Sequence, residues 1–381
     1  MRRLFLVLLC LGAPAFAERW KIQYFFDEDR THLEIEDLVF PSAQRGVAVG
    51  IVVNDYEGKF TKNIALVTSD GGANWTQIPL KERPRSLFFL NENSGWMVTD
   101  DGVWFTEEAG RSWKKVSDQP KPPKGVNFRG GVISVVWFLD EKHGFAAGYA
   151  KSAFETKDGG HTWTPIAAAA EPSANPLYSV YTRIVFAPDG KRGLIIGGYA
   201  PPRAGSRDAA PLPTWMEPDA ATKRRQVPTL TIVLETKDAG ATWQASTAPL
   251  FGTVATARLT DKEGLTVFLF NEAFEWPAEV YRIDLSTGKS VRVYREKDRR
   301  VTDALLFPGP KVVLAAVEPP GKLNTAPIPG RVRIITGSNF SVWYEAEVDY
   351  KAQATRVRLA GPDPEHLWVA TDTGMILHLT K

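Results

Sequence analysis

Five short stretches of this 381-residue chain carry most of its candidate chemistry. TSDGGANW (68–75), TEEAGRSW (106–113), TKDGGHTW (156–163) and TKDAGATW (236–243) share the form Thr-x-Asp-x-Gly-x-x-Trp, with Glu108 replacing the aspartate in the second. TGSNFSVW (336–343) keeps only the threonine and Trp343. A carboxylate repeated in this way could ligate calcium or do acid–base work. Calcium takes about 6–8 oxygen ligands, and one carboxylate per turn supplies too few. Paired-carboxylate hydrolysis needs two carboxyl groups within about 5–9.5 Å, whereas these belong to separate repeats. The residue types fit a structural role instead. Asp70, Asp158 and Asp238, with Glu108 in the same place, can accept backbone N–H groups within a turn. Gly72, Gly110, Gly160 and Gly240 permit a positive φ. Trp75, Trp113, Trp163, Trp243 and Trp343 can bury a large apolar area against a sheet.

The rest of the chain offers little reactive machinery. The five histidines, at 32, 143, 161, 366 and 378, show no paired metal-ligand spacing. No Gly-rich phosphate loop or nucleophile elbow occurs. No catalytic, cofactor-binding or metal site is therefore expected. Arg2 and Arg3 precede an apolar run from Leu4 to Gly12, and Ala15 and Ala17 are the small residues a signal peptidase needs. Residues 1–17 read as a signal peptide, of the general secretory kind because only three residues precede the apolar core. Cleavage near Ala17 would deliver the protein to the periplasm or beyond. It would also remove Cys10, the one cysteine, so no disulfide is expected. With Arg2 and Arg3 gone, the 46 basic residues fall into balance with the 44 acidic ones. A neutral chain argues against nucleic acid as partner. No later apolar stretch is long enough to span a membrane.

Strands must position the repeated turns. Before each phrase runs an apolar strand, as in IALVT, GVWFT, SAFET and TIVLET, and a short strand follows it, as in WTQIPL or WKKVSD. Further upstream lies a strand opening on glycine, as in RGVAVGIVV, SGWMVTD, HGFAAGY and RGLIIGGY. This is a four-stranded antiparallel meander, the unit of a propeller blade. The phrases start 38, 50, 80 and 100 residues apart. The longer gaps hold a Pro- and Ala-rich insertion (200–228) and a blade without the full phrase, whose turn carries Asp284 and Gly288. Residues 18–381 are therefore expected to form one all-β, seven-bladed β-propeller, with blades near 33–80, 84–118, 130–168, 178–247, 252–296, 300–348 and 352–381. The last blade has only three strands, and RWKIQYFF (19–26) is expected to supply the fourth and close the ring.

The repeated phrase resembles the Asp-box of the BNR-repeat superfamily. Within that superfamily, DEKHGFAAGY followed by ETKDGGHTW (Asp140 to Trp163) resembles the photosystem II assembly and stability factor family. The resemblance implies a non-catalytic, exported propeller that helps to assemble membrane complexes. A protein partner in the cell envelope is expected, with a monomeric scaffold and no cofactor.

Binding should sit on the face opposite the boxes, where the connections between second and third strands and between blades emerge. That face would present Lys121, Lys124, Phe128 and Arg129 from one loop, and Arg203, Arg207, Trp215, Lys223, Arg224 and Arg225 from the insertion. Trp276 and Lys322 come from two further loops. Trp and Arg together are common interface anchors. The alternative is a carbohydrate-active protein, a sialidase-like glycosidase or a lectin, with a glycan as ligand. Sialidases also carry Asp-boxes, but their FRIP hallmark is absent here. YTRIV (181–185) and YRID (281–284) echo it poorly and in later blades.

Overall fold

The computed structural model describes residues 18–200, 229–250, 252–270, 276–309, 311–319 and 329–380. The expected signal peptide lies outside them. The described residues form seven sheets arranged as propeller blades. The blades cover 31–80, 84–118, 133–165, 179–250, 252–294 and 300–345, and a seventh joins 357–380 to Arg19–Phe25. In blade 3 the outer strand is only Thr164–Pro165, and the chain then turns through a 3-10 helix at Ala167–Ala170. The expected boundary near 168 falls inside that helix.

The ring closes as the three-stranded last blade requires. Arg19–Phe25 pairs antiparallel with Met375–Thr380, with Trp20 opposite Leu379. Its other side takes a short parallel contact with Glu347–Val348 from blade 6. Trp20 is 1% exposed and packs into the cluster containing Leu359, Leu377 and Leu379. Closure in this manner removes an open sheet edge.

Each box builds its own turn. In blade 3, Asp158 Oδ1 accepts from Thr156 Oγ1 (2.8 Å) and from Thr162 N (2.9 Å), and its Oδ2 accepts from Thr162 Oγ1 (2.7 Å). Gly160 N donates to Thr156 Oγ1 at 2.9 Å, with Gly160 at φ 95°. The same set recurs around Asp70 and Asp238. In blade 2, Glu108 keeps only Ser112 Oγ, while Gly110 N still reaches Thr106 Oγ1. Blade 5 turns on Asp284, which accepts from Ser286 N and Thr287 N.

The box tryptophans are half-buried rather than sealed inside the sheet as expected. They stand at the seams between blades. Phe138, on the inner strand of blade 3, stacks face to face on Trp96 of blade 2 at 3.7 Å and 9°. Trp163 closes the edge of that stack at 6.3 Å and 71°, and its Nε1 donates to Ser117 Oγ of blade 2. Phe40 of blade 1 stacks on Trp368 of blade 7 at 3.6 Å, with Trp75 edge-on. Phe186, Phe145 and Trp243 repeat the arrangement between blades 3 and 4. The glycine that opens the second strand of blades 1 to 4 belongs to the same device. A Cβ on Gly46, Gly95, Gly144 or Gly193 would lie 2.4–2.7 Å from the ring of Phe40, Phe89, Phe138 or Phe186. The ring lies over its cross-strand glycine, and no other residue leaves room for it.

Candidate functional site

All seven inner strands line one central channel. Each begins at the face of the interblade connections and ends at the face of the boxes, since Thr31 pairs with Asn54 while Gly46 pairs with Thr68. In six of them the ladder slips by one residue near the start: at Glu36, Arg85, Ser134, Thr182, Ala255 and Thr302. A bulge re-aims the residues that follow it. Here it turns one side chain per blade into the channel: Asp37, Ser86, Val135, Arg183, Thr256 and Asp303, joined by Arg358 from blade 7. Two residues further on, the pleat presents a second ring, apolar apart from Arg258. The first ring is the polar waist of a cavity of about 360 Å³.

The two carboxylates of the waist are fully engaged. Asp37 accepts from its neighbour Leu38 N at 3.0 Å and from Leu87 N of blade 2 at 2.9 Å. Asp303 accepts from Ala304 N at 2.9 Å and from Leu359 N of blade 7 at 3.0 Å, and pairs with Arg258 at 3.2 Å. Each aspartate therefore clips its blade to the next. Burial pushes the Asp37 carboxyl above its ordinary range, against the opposing pull of the Arg358 charge and the two amides.

The cations are unevenly matched. Toward the connection-rich face Arg85 pairs with Asp100, and Arg83 and Arg356 share Glu36. Among the described residues, Arg183 and Arg358 have no carboxylate partner. Arg183 donates only to Thr182 O, and the buried Nε of Arg358 has no partner. Burial first, and then the neighbouring Arg358 charge, pull the Arg183 guanidinium down to about 9. The hydroxyls of Ser86 and Thr256, 8% and 1% exposed, also lack partners. A second cavity, shared at Thr182, Arg183 and Arg358, opens from the waist toward Arg300 and Arg356 at the connection-rich mouth.

No known family profile matches the chain, and no curated protein matches it. Solved structures do. YCF48 bound to D1 peptide superposes with a TM-score of 0.56 at 15% identity, covering 95% of this chain and all of that one. The YCF48 of Cyanidioschyzon merolae gives 0.55 at 13% identity, covering 94% and 98%. The fold is that of the YCF48 propellers. A GH74 xyloglucanase from Xanthomonas campestris also aligns, with a TM-score of 0.50 at 11% identity, covering 90% of this chain and 59% of that one.

Those of the residues expected to bind a partner that are described fall outside this channel. Lys121, Lys124 and Arg129 are exposed on the loop joining blades 2 and 3. Phe128 of the same loop is half-buried and stacks on Tyr149 at 5.8 Å. Trp276 is covered by Arg295 at 4.2 Å and Lys297 at 5.4 Å. Arg203, Arg207, Trp215, Lys223, Arg224, Arg225 and Lys322 lie outside the described residues. The channel arginines were missed by sequence reasoning, although Arg183 stands inside the YTRIV stretch. The signal was present in the inner strands. Aligning them on their shared Phe or Leu places Asp37, Ser86, Arg183 and Asp303 in one register. Among the described residues, no group of three or more His, Cys, Asp or Glu could hold a metal, and no helix is long and apolar enough to cross a membrane.

Proposed function

We propose that this propeller is a non-catalytic protein-binding scaffold, an exported assembly or stability factor for a complex of the cell envelope. One observation carries the reading. The channel exposes guanidinium groups toward the connection-rich face, while both waist carboxylates are held by backbone amides. A glycosidase would need at least one free acid in that place. The Tyr–Glu pair that a sialidase would use has one analogue, Tyr281 and Glu279. That pair sits on the third strand of blade 5, away from the channel, with Glu279 committed to Arg292 and Arg295. The Asp140–Trp163 resemblance and the likeness to a propeller solved with a bound peptide support the same reading.

Affinity capture from envelope extracts, followed by mass spectrometry, tests it. Wild-type protein should retain a discrete partner, and replacing Lys121, Lys124 and Arg129 together by Glu should weaken capture, more so at low salt where the Debye length is long. Turnover of reporter glycosides by the purified protein would refute the reading in favour of a carbohydrate-active one.

A further inference from the structure

The waist of the channel is more positively charged than its own partners can balance. Arg183 and Arg358 project into one cavity from blades 4 and 7, close enough for the Arg358 charge to disfavour that of Arg183. Neither has a carboxylate partner among the described residues, and the two aspartates of the same ring spend their oxygens on amides. Like charges held together in a partly buried site are costly unless a counter-charge joins them. Two guanidinium forks that form no ion pair among the described residues therefore line one cavity.

We propose that this waist seats a small oxyanion, phosphate or a short dicarboxylate, between Arg183 and Arg358. Arg183, Arg258 and Arg358 stand against Asp37 and Asp303, which leaves positive charge in excess, and the cavity of about 360 Å³ admits a small anion together with water. The second cavity connects the seat to the connection-rich mouth by way of Thr182, Arg300 and Arg356, so an anion would enter past further guanidinium groups. The apolar ring beneath (Val39, Phe88, Trp137, Val185, Leu305 and Ala360) forms a floor facing the boxes. The seat does not rest on the scaffold reading, since it is defined by the waist alone and needs no protein partner.

Titration calorimetry of the full chain with inorganic phosphate and with succinate, at constant ionic strength set by chloride, tests the proposal. One-to-one binding of at least one of these probes is expected. Arg183→Gln and Arg358→Gln should each weaken it about tenfold or more. Lys114→Gln, on the exposed outer strand of blade 2, should leave it unchanged. Thermal unfolding without added anion checks each variant, and loss of one of two like charges should leave the melting temperature near or above that of the wild type. Folded wild-type protein that binds neither probe would overturn the proposal, as would undiminished binding by the Arg183→Gln, Arg358→Gln double variant. Binding of a short peptide with a free carboxyl terminus, but of neither free anion, would overturn the small-anion source. Loss of partner capture with anion binding intact would sink only the scaffold reading.

Discussion

Replacing Phe138 by alanine should be among the most damaging single changes available to this fold. The ring is 2% exposed and is enclosed by residues of two blades. One face lies against Trp96 at 3.7 Å, the edge meets Trp163 at 6.3 Å, and Gly144 lies beneath it. Emptying a buried aromatic site costs about 3–5 kcal/mol. The upper part of that range applies here, because the walls are rigid rings on separate strands and cannot easily collapse inward. The face-to-face stack accounts for about 0.5–1.5 kcal/mol of the total beyond area burial. For one cooperative unit of this size, with an unfolding entropy of about 2 cal/mol/K per residue, 4 kcal/mol lowers the melting temperature by about 5 °C. Urea unfolding followed by tryptophan fluorescence and by far-UV circular dichroism would give the cost, provided the two transitions coincide. A double-mutant cycle with Trp96→Ala should then return a coupling of at least about 0.5 kcal/mol. A loss under about 1.5 kcal/mol, or no coupling, would refute the view that aromatic stacks at the blade seams hold the ring together.

Asp158→Ala should cost about 1–3 kcal/mol by leaving Thr162 N and two hydroxyls without their acceptor, and it should not change anion binding at the waist. Partial burial works upward on the Asp158 carboxyl, but hydrogen bonds from Thr162 and Thr156 and the His161 charge outweigh it and hold it below the ordinary value. Asp70 and Asp238 are held low chiefly by their hydrogen bonds to Asn74 and Thr242. In each case the unfolded chain binds the proton more readily, so the stabilisation is complete above the ordinary carboxyl range and is lost as pH falls through the lowered folded values. Urea midpoints measured between about pH 5 and pH 2.5 should fall, and less steeply in Asp158→Asn. Deleting Glu18–Phe26 should expose the edge of Met375–Thr380 and drive the protein into aggregates, read by soluble yield and light scattering; a deletion mutant with an unchanged melting temperature would refute closure as a source of stability. Lys151→Met should cost about 1–3 kcal/mol, since Nζ donates to the carbonyl oxygens of Ala170, Pro172 and Ala174 at 3.0, 2.7 and 3.2 Å and so ties the 3-10 turn to blade 3. Equilibrium unfolding measures it, and greater protease sensitivity near residues 167–174 should accompany the loss.

The sequence by itself determined whatever depends on neighbours a few positions apart. A box is a contact between residues two, four and seven places along the chain, so Thr156, Asp158, Gly160 and Trp163 announce their turn wherever it occurs. The count of strands per repeat follows from spacing, and the missing fourth strand of the last blade left Arg19–Phe25 as the closing piece. Only the tertiary structure decided where the box tryptophans and the channel charges lie. Trp163 reads as an ordinary buried ring until Ser117 of the preceding blade is brought against its indole nitrogen. The waist is assembled from single residues between Asp37 and Asp303, with Arg358, one from each blade. Their inward direction depends on a bulge, and a one-residue shift in strand register turns a side chain from the channel to the opposite face of its sheet. Which arginines are paired is a matter of distance across the ring. Arg258 forms an ion pair with Asp303 on the next blade, while Arg183 and Arg358 form none among the described residues. Local chain order carries the turns, and closure of the ring alone brings the unbalanced charges together.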